Sequence, residues 1–188
     1  MAPAAAQGQR RTQPRPKRAR AALYTPAERA RRDATAWTTV QGVLAPLQFL
    51  VFLVSLGLVL RYLWTGEGLW AATASVVVKT LVLYTIMVTG SIWEKVVFGK
   101  WLFAPAFFWE DVVSMGVIAL HTLYLVLLLN GWGTPAQQLA VALAAYAIYV
   151  VNAAQFLWKL RQARLQGAAE TMADEMRAEA RMMAECAR

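Results

Sequence analysis

Apolar residues in this chain come in long, nearly unbroken runs, not in the period of two of a half-buried strand or the narrow stripe of a surface helix. Four runs stand out: residues 40–60, 69–93, 112–129 and 139–158. Each has about 18 residues or more, enough at about 1.5 Å per residue to cross a hydrocarbon core of about 30 Å. A backbone in lipid must satisfy its own hydrogen bonds, so such runs predict helices, and nothing alternates as a β-barrel requires. The expected fold is all-α, a four-transmembrane-helix bundle over residues 39–160.

Polar segments frame these runs. Residues 1–22 are rich in Ala, Pro, Arg and Gln without apolar periodicity and read as a disordered basic tail. Thr25, Pro26 and Glu28 form the pattern of a capping box with proline at the first helical position, which predicts a juxtamembrane helix over 23–38. Residues 161–188 have helical propensity with a weak apolar stripe of Leu165, Met172, Met176, Ala180 and Met183, so a C-terminal amphipathic cytoplasmic helix is expected. The connections after the first and third runs are short. The middle one, EKVVFGKWLFAPAFFWED, is longer and crowded with aromatics.

Charge fixes an orientation. Of the 188 residues only 16% are charged against about 25% in a soluble domain, and 59% are hydrophobic. Nine of the 19 Lys and Arg precede position 34, while the loop after the first run carries only Arg61 and the loop after the third none. Lys95 and Lys100 lie in the middle loop, and further cations follow Trp158. The positive-inside rule then puts both termini and the middle loop in the cytoplasm. A basic tail beside a membrane span points to anionic lipid, not to nucleic acid. One cysteine, Cys186, and one histidine, His121, exclude an internal disulfide, a Cys-rich metal site and a His cluster. The first 36 residues lack the apolar core of a secretory signal. No phosphate loop, GxGxxG, HExxH or nucleophile elbow is present, so no protein-bound metal and no cofactor are expected.

Polar groups inside the runs are the candidates for chemistry, because each is costly in lipid. In the third run Glu110, Ser114, His121 and Tyr124 fall within an arc of about 80° on a helix, flanked by Asp111. Lys79 lies near the middle of the second run and Glu94 at its end, within about 60° of each other. Lys79 either snorkels outward or pairs with a substrate carboxylate. Glu94 either pairs with Lys95 or joins Glu110 and Asp111 as three carboxylates at one depth. Gln48 in the first run and Asn152 in the fourth are interhelical glue or substrate contacts. Phe107 and Trp109, with the other loop aromatics, belong to an interfacial belt or to a lid over a flat hydrophobic ligand. Taken alone, these residues describe an acidic pocket able to do acid–base work on a lipophilic substrate.

Three stretches sharpen this: TVQGVLAPLQFLVFLVSLGLVLRYLWTGEG, SVVVKTLVLYTIMVTGSIWEKVVFGKWLFAPAFFWEDVVSM and AYAIYVVNAAQFLWKLRQARLQ. Together they resemble the 3-vinyl (formerly 2-vinyl) bacteriochlorophyllide hydratase family over roughly residues 22–167. The resemblance implies that water adds across the C3 vinyl group of a chlorophyllide-type tetrapyrrole to give a 1-hydroxyethyl group, without a redox cofactor. It implies a place in bacteriochlorophyll biosynthesis and in a bacterial inner membrane, cytoplasmic or intracytoplasmic. Expected partners are the lipid bilayer, the tetrapyrrole, other enzymes of that biosynthesis and further copies of the chain.

Hydration of a vinyl group needs an acid to protonate the terminal carbon and a base to activate water. Glu94 or Glu110 is the expected acid, and Asp111 is expected to position or deprotonate the water. His121 is a candidate ligand to the pigment magnesium. Ser114, Lys79, Gln48, Asn152, Trp109 and Phe107 are the expected substrate contacts. The rival readings are a non-catalytic pigment- or quinone-binding assembly factor and a small transporter. The first has no use for clustered carboxylates, and the second usually shows inverted repeats, which the two halves here lack.

Overall fold

The computed structural model describes residues 23–187, so the basic tail expected over 1–22 lies outside them. Five helices follow in order: α1 (Pro26–Ala34), α2 (Ala36–Thr65), α3 (Leu69–Phe98), α4 (Phe108–Leu129) and α5 (Pro135–Cys186). No strand occurs among the described residues. α2 to α5 are the four helices long and apolar enough to cross a membrane.

Local sequence sets the helix ends. Thr25 and Glu28 close a capping box on α1, with Pro26 in its first turn. Thr35 ends α1 and caps α2 through its side chain, so the two helices meet at one residue. Gly66 and Gly99 stop α2 and α3 in the left-handed region, at φ 73° and 77°. Thr134 and Gln137 form a second capping box on α5. The helix expected over 161–188 is no separate element, since α5 runs unbroken through Gly167 to Cys186. Helix propensity favours continuation there, and a single glycine costs only about 1 kcal/mol.

The bundle is built from two antiparallel hairpins, α2 with α3 and α4 with α5, each closely packed along its length. The hairpins meet along a looser seam filled by large side chains, among them Phe52, Leu83, Tyr124, Tyr146 and Tyr149. The radial pattern is inverted relative to a water-soluble protein. Leu50, Val54, Leu81 and Leu157 point outward, whereas Gln48, Lys79, His121 and Asn152 are buried. That arrangement suits hydrocarbon as the surrounding solvent.

At one end, called the basic end below, α1 packs on α3, and the Arg31 Nε donates to the Val97 carbonyl at 2.8 Å. The Leu23 N–H donates to Gln166 Oε1 at 3.0 Å, and Arg29 pairs with Glu170, so the α1 segment is strapped to the outer part of α5. Gly99 tests the local logic. Gly99→Ala should destabilise the protein by about 1 kcal/mol or more, because alanine resists φ 77°. Gly116→Ala, at an α4 position where a Cβ meets nothing, should be neutral or stabilising by about 0.5–1 kcal/mol. Unfolding from mixed micelles measures both.

Candidate active site

The site grows from the loop between α3 and α4. α3 ends at Gly99, where Lys95 donates to the Gly99 carbonyl at 3.1 Å and lies near the Trp101 ring. Lys95 is thus occupied with the helix end and not with Glu94. The chain then turns through Phe103, the only non-glycine residue with positive φ among those described, at 58°. Such a backbone needs support. Two carboxylates supply it: the Phe103 N–H donates to Asp111 Oδ2 at 2.7 Å, and the Ala104 N–H donates to Glu94 Oε2 at 3.3 Å.

Accepting from consecutive N–H groups of one turn, those two carboxyls lie side by side. Two carboxyls held this close disfavour a second negative charge, so one proton between them is the arrangement they suit. Both side chains are buried. The end of α3 and the first turn of α4 therefore hold a paired acid, clamped by the loop that connects them.

Glu110 is also buried, but it leaves α4 about 100° from Asp111 and turns towards α5. Lys159 Nζ lies 3.6 Å from Glu110 Oε1 and also donates to the Ala106 carbonyl. Glu110 lines a shallow groove on the outer surface, formed with Val150, Val151, Ala154, Gln155 and Trp158 of α5. Gln155 Oε1 is buried without a protein partner. The groove is an apolar trough on the face that lipid would cover, with one carboxylate and one amide in its lining.

Aromatic rings close the basic end. Trp93, Phe98 and Phe107 contact one another with ring centroids 5.7–5.8 Å apart, and Tyr24 stacks on Phe98 at 5.7 Å. Phe107 stacks on Phe156 of α5 at 6.2 Å. Burial pushes the Tyr24 phenol pKa up, although Arg32, 4.8 Å above its ring, opposes this, so Tyr24 sits there as a neutral ring. Phe107 is therefore an inward plug between the acid pair and the outside. Trp109, also expected to touch substrate, is 68% exposed and points outward, as an interfacial belt residue does.

The remaining candidates lie in the seam. Lys79 does not snorkel: it is fully buried, with Nζ 3.9 Å from the Tyr149 ring centroid and 5.8 Å from that of Tyr146. His121 packs against Tyr146 with centroids 5.8 Å apart, and its Nδ1 bonds the Val117 carbonyl at 2.8 Å. Asn152 Nδ2 donates to Ser114 Oγ at 2.9 Å, and Ser55 joins Ser75 and Tyr146 at 2.8 and 2.6 Å. Gln48, Lys79, Ser114, His121 and Asn152 are each at most 6% exposed. The structure thus separates what the sequence grouped. Glu94 and Asp111 pair, Glu110 flanks them beside Lys159, and the seam residues form a second polar region deeper in the bundle. Lys159 and the groove residues Gln155 and Trp158 stand beside the site without being among the expected site residues.

A family model described as 2-vinyl bacteriochlorophyllide hydratase matches residues 24–162. The 2-vinyl bacteriochlorophyllide hydratase of Rhodobacter capsulatus is 71% identical over 151 residues, covering 80% of this chain and 88% of the relative. That of Cereibacter sphaeroides is 72% identical over 143 residues, covering 76% and 89%. No solved structure matches the chain.

Proposed function

The chain belongs to the 2-vinyl bacteriochlorophyllide hydratase family, and from this premise we infer that the acidic cluster at the basic end is its active site. The protein is a multi-pass membrane hydratase of bacteriochlorophyll biosynthesis. We propose that it adds water to the C3 vinyl group of a chlorophyllide-type tetrapyrrole, in a bacterial inner membrane, with both termini in the cytoplasm.

One observation carries the assignment: the buried carboxyls of Glu94, near the end of α3, and Asp111, in the first turn of α4, hold consecutive N–H groups of one loop, and Glu110 beside Asp111 lines a groove on the outer surface. A flat apolar pigment would approach along that groove, edge first. The Glu94–Asp111 pair holds the proton for the terminal vinyl carbon. Protonation forms a C–H bond and leaves a cation on the inner carbon, which the conjugated ring stabilises. Glu110, the carboxylate beside Lys159, takes a proton from the water whose oxygen bonds that inner carbon. Return of this proton from Glu110 to the pair closes the cycle, and no electron changes hands. On this reading Glu94 and Asp111 act together as the acid, supported by their joint hold on one turn, and Glu110 takes the base role expected of Asp111.

As a magnesium ligand in the same pose His121 is disfavoured: it is fully buried and lies ten residues beyond Asp111 on α4, about 15 Å along the axis between the two backbone positions. The buried seam residues therefore suit something smaller than a pigment. A carrier without catalysis would need the groove and the aromatic plug but no acid pair.

Absorption tests the reading. Membranes carrying the protein, mixed with a 3-vinyl pigment, should shift its red absorption band to shorter wavelength as the vinyl group leaves conjugation. The 3-ethyl analogue should give no shift. A bound but unchanged vinyl pigment would favour the carrier.

A further inference from the structure

The seam holds buried polar atoms without a hydrogen-bond partner in the protein: Lys79 Nζ, which lies over the Tyr149 ring, His121 Nε2, Gln48 Oε1 and Asn152 Oδ1. They are of opposite kinds. The lysine ammonium can only donate. The two amide oxygens can only accept. The Val117 carbonyl can only accept, so His121 Nδ1 carries the proton and Nε2 presents a lone pair. An anion would suit Lys79 and be repelled by the other three. A cation would suit those three and be repelled by Lys79. One small molecule both donates and accepts and fits among side chains that exclude a pigment, and that molecule is water. Unsatisfied buried polar groups are its usual site.

The neighbours fall into two sets along the seam. Lys79 and His121 both pack on Tyr146, whose hydroxyl bonds Ser55. Asn152 is bonded to Ser114, which stands one turn beyond Glu110 on the same face of α4. Hydration consumes one water per turnover, and the aromatic plug covers the basic end of the bundle.

We propose that the seam between the two hairpins binds a file of water molecules, held by Lys79, His121, Gln48 and Asn152, that supplies the reacting water to Glu110. The binding of water stands on the seam alone. Its delivery rests on Glu110 as the base.

Hydroxyl-radical footprinting of the full-length protein in nanodiscs, with ¹⁸O-labelled water, tests the binding. Normalised to intrinsic reactivity, the buried Tyr146 and Tyr149 should take up ¹⁸O as fast as the half-buried Tyr62. Protection of both to the level of the buried Leu139 would overturn the proposal without any variant having to fold. Gln48→Leu with Asn152→Leu should slow Tyr149 labelling and lower kcat about tenfold or more, with KM for the pigment unchanged, because the water is no longer held in place. Wild-type kcat in a folded double variant overturns the supply role. Glu110→Gln should lower turnover by about a hundredfold or more yet leave the labelling intact. Hence an active-site assignment can fail while the hydrated seam stands, and the reverse also holds.

Discussion

Glu110→Gln should lower vinyl hydration by about a hundred- to ten-thousand-fold while the protein still folds and still takes up pigment. Glutamine keeps the shape and one hydrogen-bonding oxygen but cannot accept the proton that water must give up. Lys159 would lose its carboxylate and keep the Ala106 carbonyl, so the first turn of α4 should remain in place. The expected signature is a fall in kcat with little change in KM, the pattern of an interaction used only in the transition state. Lys159→Met should copy part of the loss by freeing the Glu110 side chain. Near-normal turnover in Glu110→Gln would remove the base from this scheme.

Glu94→Gln and Asp111→Asn should each cost a similar factor, by a different route. Each replaces half of the carboxyl pair proposed as the acid, which also holds the strained turn at Phe103. The two variants differ in what else they damage. Asp111→Asn keeps an oxygen for the Phe103 N–H, and Glu94→Gln keeps one for the Ala104 N–H, so the loop should persist in both while the transferable proton is lost. Truncation to alanine should additionally loosen the loop, seen as faster proteolysis between α3 and α4. The pH profile tests the pair. Wild-type activity should fall at high pH, where the acid pair has lost its proton. That limb is macroscopic and belongs to both carboxyls. Glu94→Gln should flatten it in the residual activity.

The four long helices were legible because apolar run length is a one-dimensional signal and lipid admits few backbone solutions. The stripe of Glu110, Ser114 and His121 on one face of α4 was legible for the same reason, since helical spacing is fixed. What escaped was pairing across helices. Lys159 served as a marker of orientation, and nothing in its spacing told that it reaches Glu110. The division of the three carboxylates was equally hidden. It depends on the tight turn at Phe103, whose positive φ has no signature in an aromatic residue. Lys79 looked like a side chain able to escape to the interface. Only the packing of Tyr146 and Tyr149 around it shows that it cannot.

α5 extends well beyond the stretch that lipid can cover. From Trp158 to Cys186 it adds 28 residues, about 42 Å of straight rod. Cys186 is the sole thiol in the sequence and is exposed at the tip. A maleimide dye would therefore attach at one known height, with no engineered site. Energy transfer from that dye to lipid-borne acceptors would read the tilt of the mast in a native bilayer, and a change on adding pigment would report whether the α1 strap stays fastened.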